Sequence, residues 1–452
     1  MIFAKQAKLS TGWAADVRLT IANGRITSIE SDQAPQPADA RFDTLLPSIA
    51  NLHSHSFQRA MAGMTEFRMA GKDSFWTWRD LMYRFTANLT PEHVEAIAAF
   101  VFLEMQEAGY ASVGEFHYLH HQPGGTPYDD IGELSARVAS AAASSGIGLT
   151  HLPVLYTYGG AGQLPLSEGQ ARFGNTVGQY NELVSQAKSA VSQLPDDCRV
   201  GISPHSLRAT SPDDLSALLA AHQSGPVHIH IAEQPKEVAD IESWLGARPV
   251  EWLLANTNVT PDWCLIHATH MTTQETEAMA KSGAVAGLCP VTEANLGDGP
   301  FNGPAYLNAG GAFGIGSDSN VLISLTEELR TLEYSQRLRD VARNVIVVGE
   351  GSVGDTLYSG AAKGGAQALG REAGEISVGN LADLVAIDSN ATSLCALRQD
   401  QLLDGLVFAA KDDVVTDVWS AGRHAVQSGR HVKRDEIVSA YRVAMDSLMA
   451  SL

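Results

Sequence analysis

The chain has 452 residues, of which 44% are hydrophobic and 18% are charged, and its formal net charge is −20. This length suits a barrel of about 250 residues or more together with an accessory domain. The acidic balance argues against nucleic acid or an anionic membrane surface as the main partner, although it leaves room for arginines inside a pocket.

Short β-strands are predicted at both ends of the chain. Residues 1–46 alternate apolar and polar side chains around the turn signal Asn23-Gly24, and β-rich runs return within 375–435. We therefore expect a small β-sandwich domain built from both termini, 1–46 and 375–435, and then a C-terminal helix over 436–452. The N-terminus lacks a signal-peptide core and no apolar stretch is long enough to span a bilayer, so a cytoplasmic enzyme without a membrane partner is expected.

The middle of the chain alternates apolar runs with helical patterns such as 91–108 and 212–222, which is typical of an α/β fold with a parallel sheet. Eight βα units that close on themselves are the economical arrangement. We therefore predict a (β/α)8 TIM-like barrel over 47–374, with a doubly wound open sheet as the alternative. The predicted strands end near His55, Tyr118, Tyr156, Ser206, Glu233, His270, Glu293 and Ser319.

Side chains that bind metals stand at several of these strand ends, where a barrel of this kind has its active site. His53 and His55 close the first strand, and residues two apart project from the same face, so both can reach one ion. Zinc prefers nitrogen and carboxylate ligands and keeps one position open for water in catalytic sites. The fifth, sixth and eighth strands supply further candidates: His228, His230, His267 and Asp318.

With this ordered set the chain resembles the amidohydrolase superfamily over almost its whole length, including the segment Val378-Gly-Asn-Leu-Ala-Asp-Leu-Val. His228 and His230 share a strand face, so geometry alone leaves both open. We choose His230, which lies nearer the strand end and matches the family pattern. The region 201–205 offers no bridging lysine, which argues against a two-metal site. The resemblance implies one zinc ion per chain, held by His53, His55, His230 and Asp318.

The resemblance also assigns catalytic roles beside the metal. It implies that His267 hydrogen-bonds the metal's water or the substrate, and that Asp318 helps to orient that water. Glu233 follows His230 by three residues, and this His-x-x-Glu arrangement resembles the deaminase branch, in which the glutamate shuttles protons. A carboxylate beside an activated water is well placed for general acid–base catalysis.

Four longer motifs narrow the resemblance to one family: His53-Ser-His-Ser-Phe-Gln-Arg-Ala, Phe75-Trp-Thr-Trp-Arg79, Ser203-Pro-His-Ser-Leu-Arg208 and Cys289-Pro-Val-Thr-Glu-Ala-Asn-Leu-Gly-Asp-Gly299. They are similar to those of the N-formimino-L-glutamate deiminases (formimidoylglutamate deiminases) of bacterial histidine degradation. Such an enzyme hydrolyses its substrate to N-formyl-L-glutamate and ammonia. Homodimers are common among similar enzymes, and by that analogy a homodimer is expected.

The expected substrate, a small dicarboxylate, explains why arginines would be needed. Formiminoglutamate has two carboxylates and an amidinium-like head, and a guanidinium fork can donate two parallel hydrogen bonds to a carboxylate. Arg79 and Arg208 are the candidates, without an assignment of which holds which carboxylate. The resemblance implies three further polar contacts, from Gln58, Tyr118 and His205.

Two other functions stay open at this point. One is another amidohydrolase deaminase, acting on guanine, an adenosine-type substrate or a triazine. A purine would favour aromatic stacking and amide contacts over two arginines. The other is a non-catalytic scaffold with the same fold, which would be expected to lose metal ligands, whereas this chain retains the full set.

Overall fold

A computed structural model of the chain describes residues 1–67 and 75–451. The described strands form an eight-stranded sheet and a nine-stranded sheet. In chain order the strands are β1 (Ile2–Leu9), β2 (Gly12–Ala22), β3 (Arg25–Glu30), β4 (Ala40–Pro47), β5 (Ile49–Ser54), β6 (Tyr110–His117), β7 (Gly148–Leu155), β8 (Arg199–Val200), β9 (Ser203–Pro204), β10 (Val227–Ile231), β11 (Trp263–His267), β12 (Val285–Leu288), β13 (Ala312–Ile315), β14 (Leu384–Ile387), β15 (Val415–Ser420), β16 (Arg423–Gln427) and β17 (Arg430–His431).

Helices follow most strands of the larger sheet. They are α1 (Phe75–Thr86), α2 (Pro91–Glu107), α3 (Glu133–Ser145), α4 (Val177–Val191), α5 (Pro212–Ala221), α6 (Pro235–Leu245), α7 (Pro249–Asn256), α8 (Thr273–Ser282), α9 (Pro290–Leu296), α10 (Gly303–Asn308), α11 (Leu325–Asp340), α12 (Val353–Ala368), α13 (Asp400–Phe408) and α14 (Arg434–Met449). Among the described residues, none of the helices combines the length and the apolar character that a membrane span requires.

The smaller sheet is built from both ends of the chain, as predicted. Its order is β17-β16-β15-β14-β4-β1-β2-β3, in which β1 and β4 run parallel and the other neighbours run antiparallel. Alternating apolar side chains on these strands point to one side, because successive residues of a strand face opposite ways. The two halves of this continuous sheet share one buried cluster, which includes Ile2, Val17, Ile26, Leu45, Leu384 and Trp419.

The larger sheet is the predicted (β/α)8 barrel. Its hydrogen-bonded order is β10-β11-β12-β13-β5-β6-β7-β8, with β9 also paired to β7, and all these pairs are parallel. The sheet closes between β9 and β10 through two backbone hydrogen bonds. The N–H of His228 donates to the carbonyl of Ile202 at 3.0 Å, and the N–H of His230 donates to the carbonyl of His205 at 3.0 Å. Closure excludes the doubly wound open sheet.

Proline and capping side chains define where several barrel helices begin. The two helices predicted at 91–108 and 212–222 are α2 and α5, and each has proline in its first turn. The hydroxyl of Ser211 accepts the backbone N–H of Asp214 at the start of α5. The strand expected to end near Glu293 stops earlier, at Leu288, because Pro290 starts α9 and cannot donate to a sheet ladder.

A buried ion-pair group joins the two sheets. The Arg371 side chain, which is fully buried, donates to Asp383 at 3.0 Å just before β14, and to the backbone carbonyl of Asp197 at 2.7 Å in the barrel. Arg423 of β16 pairs with the Asp197 carboxylate at 2.7 Å. These contacts fix the small sheet against the barrel at several points. The division into domains at 47, 375 and 436 stays a prediction.

Candidate active site

Four side chains at the C-terminal ends of three barrel strands converge at one point. The ligand atoms of His53, His55, His230 and Asp318 all lie within 4.8 Å of one another, and all four residues are buried. His53 Nε2 is 3.1 Å from His230 Nε2 and 3.4 Å from Asp318 Oδ1, while His55 Nε2 is 3.2 Å from Asp318 Oδ1. Donors about 2.1 Å from one tetrahedral ion lie about 3.4 Å apart, so this spacing fits a shared metal ion.

The histidine rings are turned so that their Nε2 atoms face this point. His55 Nδ1 donates to the carbonyl of Phe116 at 2.7 Å, and His230 Nδ1 donates to the carbonyl of His205 at 3.0 Å. A ring nitrogen that donates to a carbonyl leaves the lone pair of the other nitrogen free for a metal. Burial, the largest cause, lowers the pKa of His53 to about 3 and that of His230 well below its usual range, so both rings are neutral ligands.

Asp318 is placed by backbone pairing with the first barrel strand. Its N–H donates to the carbonyl of His53 at 3.0 Å, and its carbonyl accepts the N–H of His55 at 2.9 Å. Burial alone would raise the pKa of Asp318, but His53 and His55 outweigh it and hold the pKa well below the usual range. The chain therefore carries a metal site made of histidine and aspartate side chains.

His228 lies outside this group. Its Nε2 donates to the carbonyl of Ala368 at 2.8 Å, at the C-terminal end of α12. The side chain shares a face of β10 with His230 but sits two residues deeper in the barrel. The structure therefore supports the choice of His230, which was made because it lies nearer the strand end.

His267, at the end of β11, lies among three carboxylates. Its Nδ1 donates to Glu293 at 3.2 Å, and its Nε2 is 3.8 Å from Glu233 and 3.9 Å from Asp318. Burial acts to lower the pKa of His267, but Glu233, Glu293 and Asp318 together raise it to about 10. The four converging ligand side chains are called the metal group. The ring of His267 therefore faces the point where the metal group and Glu233 meet.

Glu233 follows β10 and is 5% exposed. Its Oε2 accepts a hydrogen bond from Arg208 Nη2 at 3.1 Å, and its own backbone N–H donates to Glu237 at 3.0 Å. Arg208 Nε lies 3.8 Å from the Glu237 carboxylate as well. The carboxylate of Glu233 is therefore fixed beside the metal group by an arginine on one side and by its own loop on the other.

A cavity with about 550 Å³ of empty space, part of it open to solvent, lies against the metal group. Aromatic and apolar side chains form much of its wall, including Phe75, Trp78, Tyr83, Tyr156 and Phe173. The sequence-predicted residues in its lining are His55, Gln58, Arg79, Tyr118, His205, Arg208, His230, Glu233, His267 and Asp318. His53, the remaining predicted residue, is fully buried within the metal group.

Three predicted polar contacts are held in position within this lining. Gln58 Nε2 donates to the Tyr118 hydroxyl at 2.6 Å, and burial raises the pKa of Tyr118 well above its usual range, so the phenol stays protonated. His205 Nδ1 is 3.0 Å from Ser206 Oγ. Burial, followed by Arg208, lowers the pKa of His205 well below its usual range, so this ring is neutral.

The guanidinium groups of both arginines lie near one indole ring. The guanidinium carbon of Arg79 is 4.6 Å from the centre of the Trp76 ring, and that of Arg208 is 6.0 Å from it. Among the residues that the structure describes, the buried Nε of Arg79 has no hydrogen-bond partner. A buried donor without a partner is costly, so this edge of the guanidinium is suited to receive a ligand oxygen.

Two buried carboxylates in the site received no role from sequence reasoning. Glu293 accepts the N–H of Cys289 at 2.9 Å besides its contact with His267, and Glu237 supports the loop that carries Glu233. A signal for both existed in the chain. Glu293 lies inside the longest quoted motif, and Glu237 follows Glu233 by four residues at the start of α6.

A closed βα barrel whose strand ends bring together a metal site and a buried glutamate defines a metal-dependent hydrolase. The amidohydrolase family matches residues 44–425, and the N-terminal domain of formimidoylglutamate deiminase HutF matches residues 1–43. The chain is 48% identical over 451 residues to the formimidoylglutamate deiminase of Pseudomonas aeruginosa, with 99% of each protein covered. This chain therefore belongs to the formimidoylglutamate deiminases of the amidohydrolase family.

Solved structures agree with this placement. The crystal structure of an amidohydrolase from Brucella melitensis matches with a TM-score of 0.95 at 48% identity and covers 99% of each chain. The zinc-bound crystal structure of an adenosine deaminase from Xanthomonas campestris matches with a TM-score of 0.79 at 23% identity, over 99% of this chain and 98% of that one. This second similarity is one of fold.

Proposed function

We propose that this protein hydrolyses N-formimino-L-glutamate to N-formyl-L-glutamate and ammonia, with zinc as its metal, as a step of histidine degradation. The observation that carries the proposal is one cavity that joins a hydrolytic metal site to two arginines, Arg79 and Arg208. The 48% identity to a formimidoylglutamate deiminase supports the same substrate. A homodimer stays a prediction by analogy with similar enzymes, and a cytoplasmic location stays a prediction from the sequence.

The donor set supports zinc and one ion per chain. Three imidazole nitrogens and one carboxylate oxygen are ligands that zinc prefers, and a water would join these four as a fifth ligand. A second group with converging atoms consists of His267, Cys289 and Asp318. This group shares Asp318 with the first and offers two further donors, too few for a second ion with the usual ligand number.

The bound ion would lower the pKa of the attacking water and stabilise negative charge as that water adds to the formimino carbon. Glu233 takes a proton from the attacking water and returns one to the departing nitrogen, so that ammonia leaves. Its carboxylate is suited to this because it lies 3.8 Å from His267 Nε2 and is shielded from solvent. His267 and Asp318 hold the attacking water in line with the carbon.

The rest of the cavity would bind the glutamate part of the substrate. Arg79 lines the cavity and has a buried Nε without a hydrogen-bond partner among the described residues, and Arg208 bridges the cavity and Glu233. Each guanidinium can take one substrate carboxylate, and Gln58, Tyr118 and His205 can donate or accept around the formimino group. Because Arg208 also contacts Glu233, it links substrate binding to the proton carrier.

A coupled ammonia assay tests the proposal directly. The zinc-loaded protein is expected to release ammonia from formiminoglutamate with a kcat/KM at least about 10²-fold above that for guanine or adenosine, since those substrates offer no carboxylate to either arginine. A higher kcat/KM with either purine would assign the protein to a different deaminase function. No ammonia from any of the three would contradict deamination of these substrates.

The arginines give a sharper prediction. Arg79→Met or Arg208→Met is expected to lower kcat/KM for formiminoglutamate by about 2–5 kcal/mol, because each leaves a desolvated carboxylate without its partner. Zinc content is expected to stay unchanged. The matched control is Arg84→Met on the exposed side of the same helix, α1, which is expected to have little effect.

Substrate analogues with one carboxylate amidated separate binding from general damage. Amidation of one carboxylate is expected to lower kcat/KM strongly for the unaltered enzyme. The decrease is expected to be much smaller for the variant in which the matching arginine is already methionine. Measuring kcat/KM for the four enzyme–substrate combinations gives the coupling between arginine and carboxylate. Simple additivity for both arginines would mean that the carboxylates are bound by other residues.

A further inference from the structure

Glu237 is a fully buried carboxylate in the first turn of α6. Both of its oxygens accept backbone N–H groups from the preceding loop: Oε1 accepts from Ala232 at 3.2 Å and Oε2 accepts from Glu233 at 3.0 Å. A buried carboxylate needs such donors, because the loss of its hydration is otherwise uncompensated. Glu237 therefore closes the loop between β10 and α6 onto the helix.

This loop needs support because of its backbone conformation. Ala232 has a φ of +50°, in the left-handed region that residues with a Cβ rarely adopt. Without an interaction that fixes Ala232, the loop would relax toward ordinary backbone angles and move the next residue, Glu233. The two hydrogen bonds to Glu237 act on these two residues.

The same carboxylate also acts on Arg208. Arg208 Nη2 donates to Glu233 Oε2 at 3.1 Å, and Arg208 Nε lies 3.8 Å from Glu237 Oε2. Glu237 is therefore in contact with the backbone of the residue proposed to carry protons and with a guanidinium proposed to hold a substrate carboxylate. Its own side chain does not appear in the lining of the catalytic cavity.

We propose that Glu237 is a positioning residue that fixes Glu233 and Arg208 in one geometry relative to the metal group. The inference rests on the proposed function, which gives Glu233 and Arg208 their roles. Glu237 itself exchanges no proton and binds no substrate. It sets the distance between the proton carrier and the attacking water, and a misplacement of about 1 Å in such a group can cost about 10²-fold in rate.

Glu237→Gln tests the proposal with a small change in shape. One of its two oxygens becomes an amide NH2 group, which must then face a backbone N–H or Arg208 Nε, so a donor meets a donor. We expect kcat for formiminoglutamate to fall about 10²-fold and KM to rise, with zinc content unchanged. A folded variant with kcat within about twofold of the unaltered enzyme would overturn the proposal.

Glu333 provides a matched control away from the site. It is fully buried on α11, accepts the N–H groups of Val345 at 2.9 Å and Ile346 at 2.8 Å, and accepts from Arg337 Nε at 2.6 Å. Glu333→Gln should therefore lower Tm about as much as Glu237→Gln does, because it disrupts the same kind of contact, but should leave kcat unchanged. An equal loss of kcat in both variants would show that loss of stability, and not positioning, explains the effect.

A double variant distinguishes positioning from other effects. If Glu237 acts on kcat through Glu233, adding Glu237→Gln to Glu233→Gln should lower kcat by less than about threefold, since the group to be positioned is already inactive. A further loss of about 10²-fold in the double variant would overturn the proposal.

Two further comparisons keep the result interpretable. If Glu237→Gln does not fold, Glu237→Asp replaces it, because aspartate keeps the charge but is one methylene shorter. Glu237→Asp should have a partly reduced kcat. A folded Glu237→Asp with unaltered kcat would equally overturn the proposal. Failure of the proposed function would appear separately, in the unaltered enzyme, as no ammonia from formiminoglutamate. The comparison of Glu237 with Glu333 would then be made on the substrate that the enzyme does deaminate.

Discussion

Glu233→Gln is expected to lower kcat by about 10²- to 10⁴-fold, toward the upper end because the mechanism uses this carboxylate twice. Glutamine keeps the shape of the side chain but cannot accept a proton from the attacking water or deliver one to the departing nitrogen. Glu233 is 5% exposed, so bulk water has little access to replace it. Zinc content should stay unchanged, because Glu233 lies outside the proposed ligand set. Steady-state kcat and elemental analysis of the same preparation give both values.

The matched control for this variant is Glu242→Gln. Glu242 is exposed on α6, the helix that follows Glu233, so the same chemical change there should leave kcat within about twofold. A folded, zinc-loaded Glu233→Gln enzyme that keeps most of its kcat would remove Glu233 from the mechanism.

The metal ligands give the second large effect. Replacing His230 or Asp318 with alanine is expected to lower metal content and activity together, because each removes one of the four donors proposed to hold a single ion. Activity should fall to the level of the metal-free protein, which lacks the means to activate water at neutral pH. Metal content by elemental analysis and kcat on formiminoglutamate should fall in proportion.

His228 is the control on the same strand. His228→Gln changes a buried histidine of β10 whose Nε2 donates to Ala368, so it should lower stability but retain the metal. Normal turnover by the metal-free protein would contradict a metal-dependent mechanism. Two ions per chain, found by elemental analysis of the unaltered protein, would contradict the assignment of one.

Much of the metal group could be predicted because strand geometry is periodic. His53 lies on β5 and His55 directly follows its last residue, so strand periodicity predicted that the two side chains face the same way. Parallel strands in a barrel end at one rim, so candidates at other strand ends, such as His230 and Asp318, were expected nearby. The structure brings them within one group, and the family placement supports their use.

Periodicity did not distinguish residues at different depths or fix the end of every element. His228 and His230 occupy the same face of β10, but two residues advance a strand by about 7 Å, which takes His228 out of reach of the ion. The prediction of a strand end near Glu293 was wrong, since Pro290 begins a helix that carries Glu293 back to His267. In both cases the role of the residue depends on its position along the barrel axis.

The amino-acid sequence alone was enough to predict the fold class, the rim of the barrel that carries the chemistry, and the types of side chain available there. These depend on local spacing and on residue chemistry, both of which are written along the chain. The contacts of Arg208 with Glu233 and Glu237, and the presence of both arginines near Trp76, became visible in the folded protein alone. Such contacts join side chains from different elements. They depend on how a closed barrel and its loops bring those elements together, and the regular spacing of residues along the chain does not predict this.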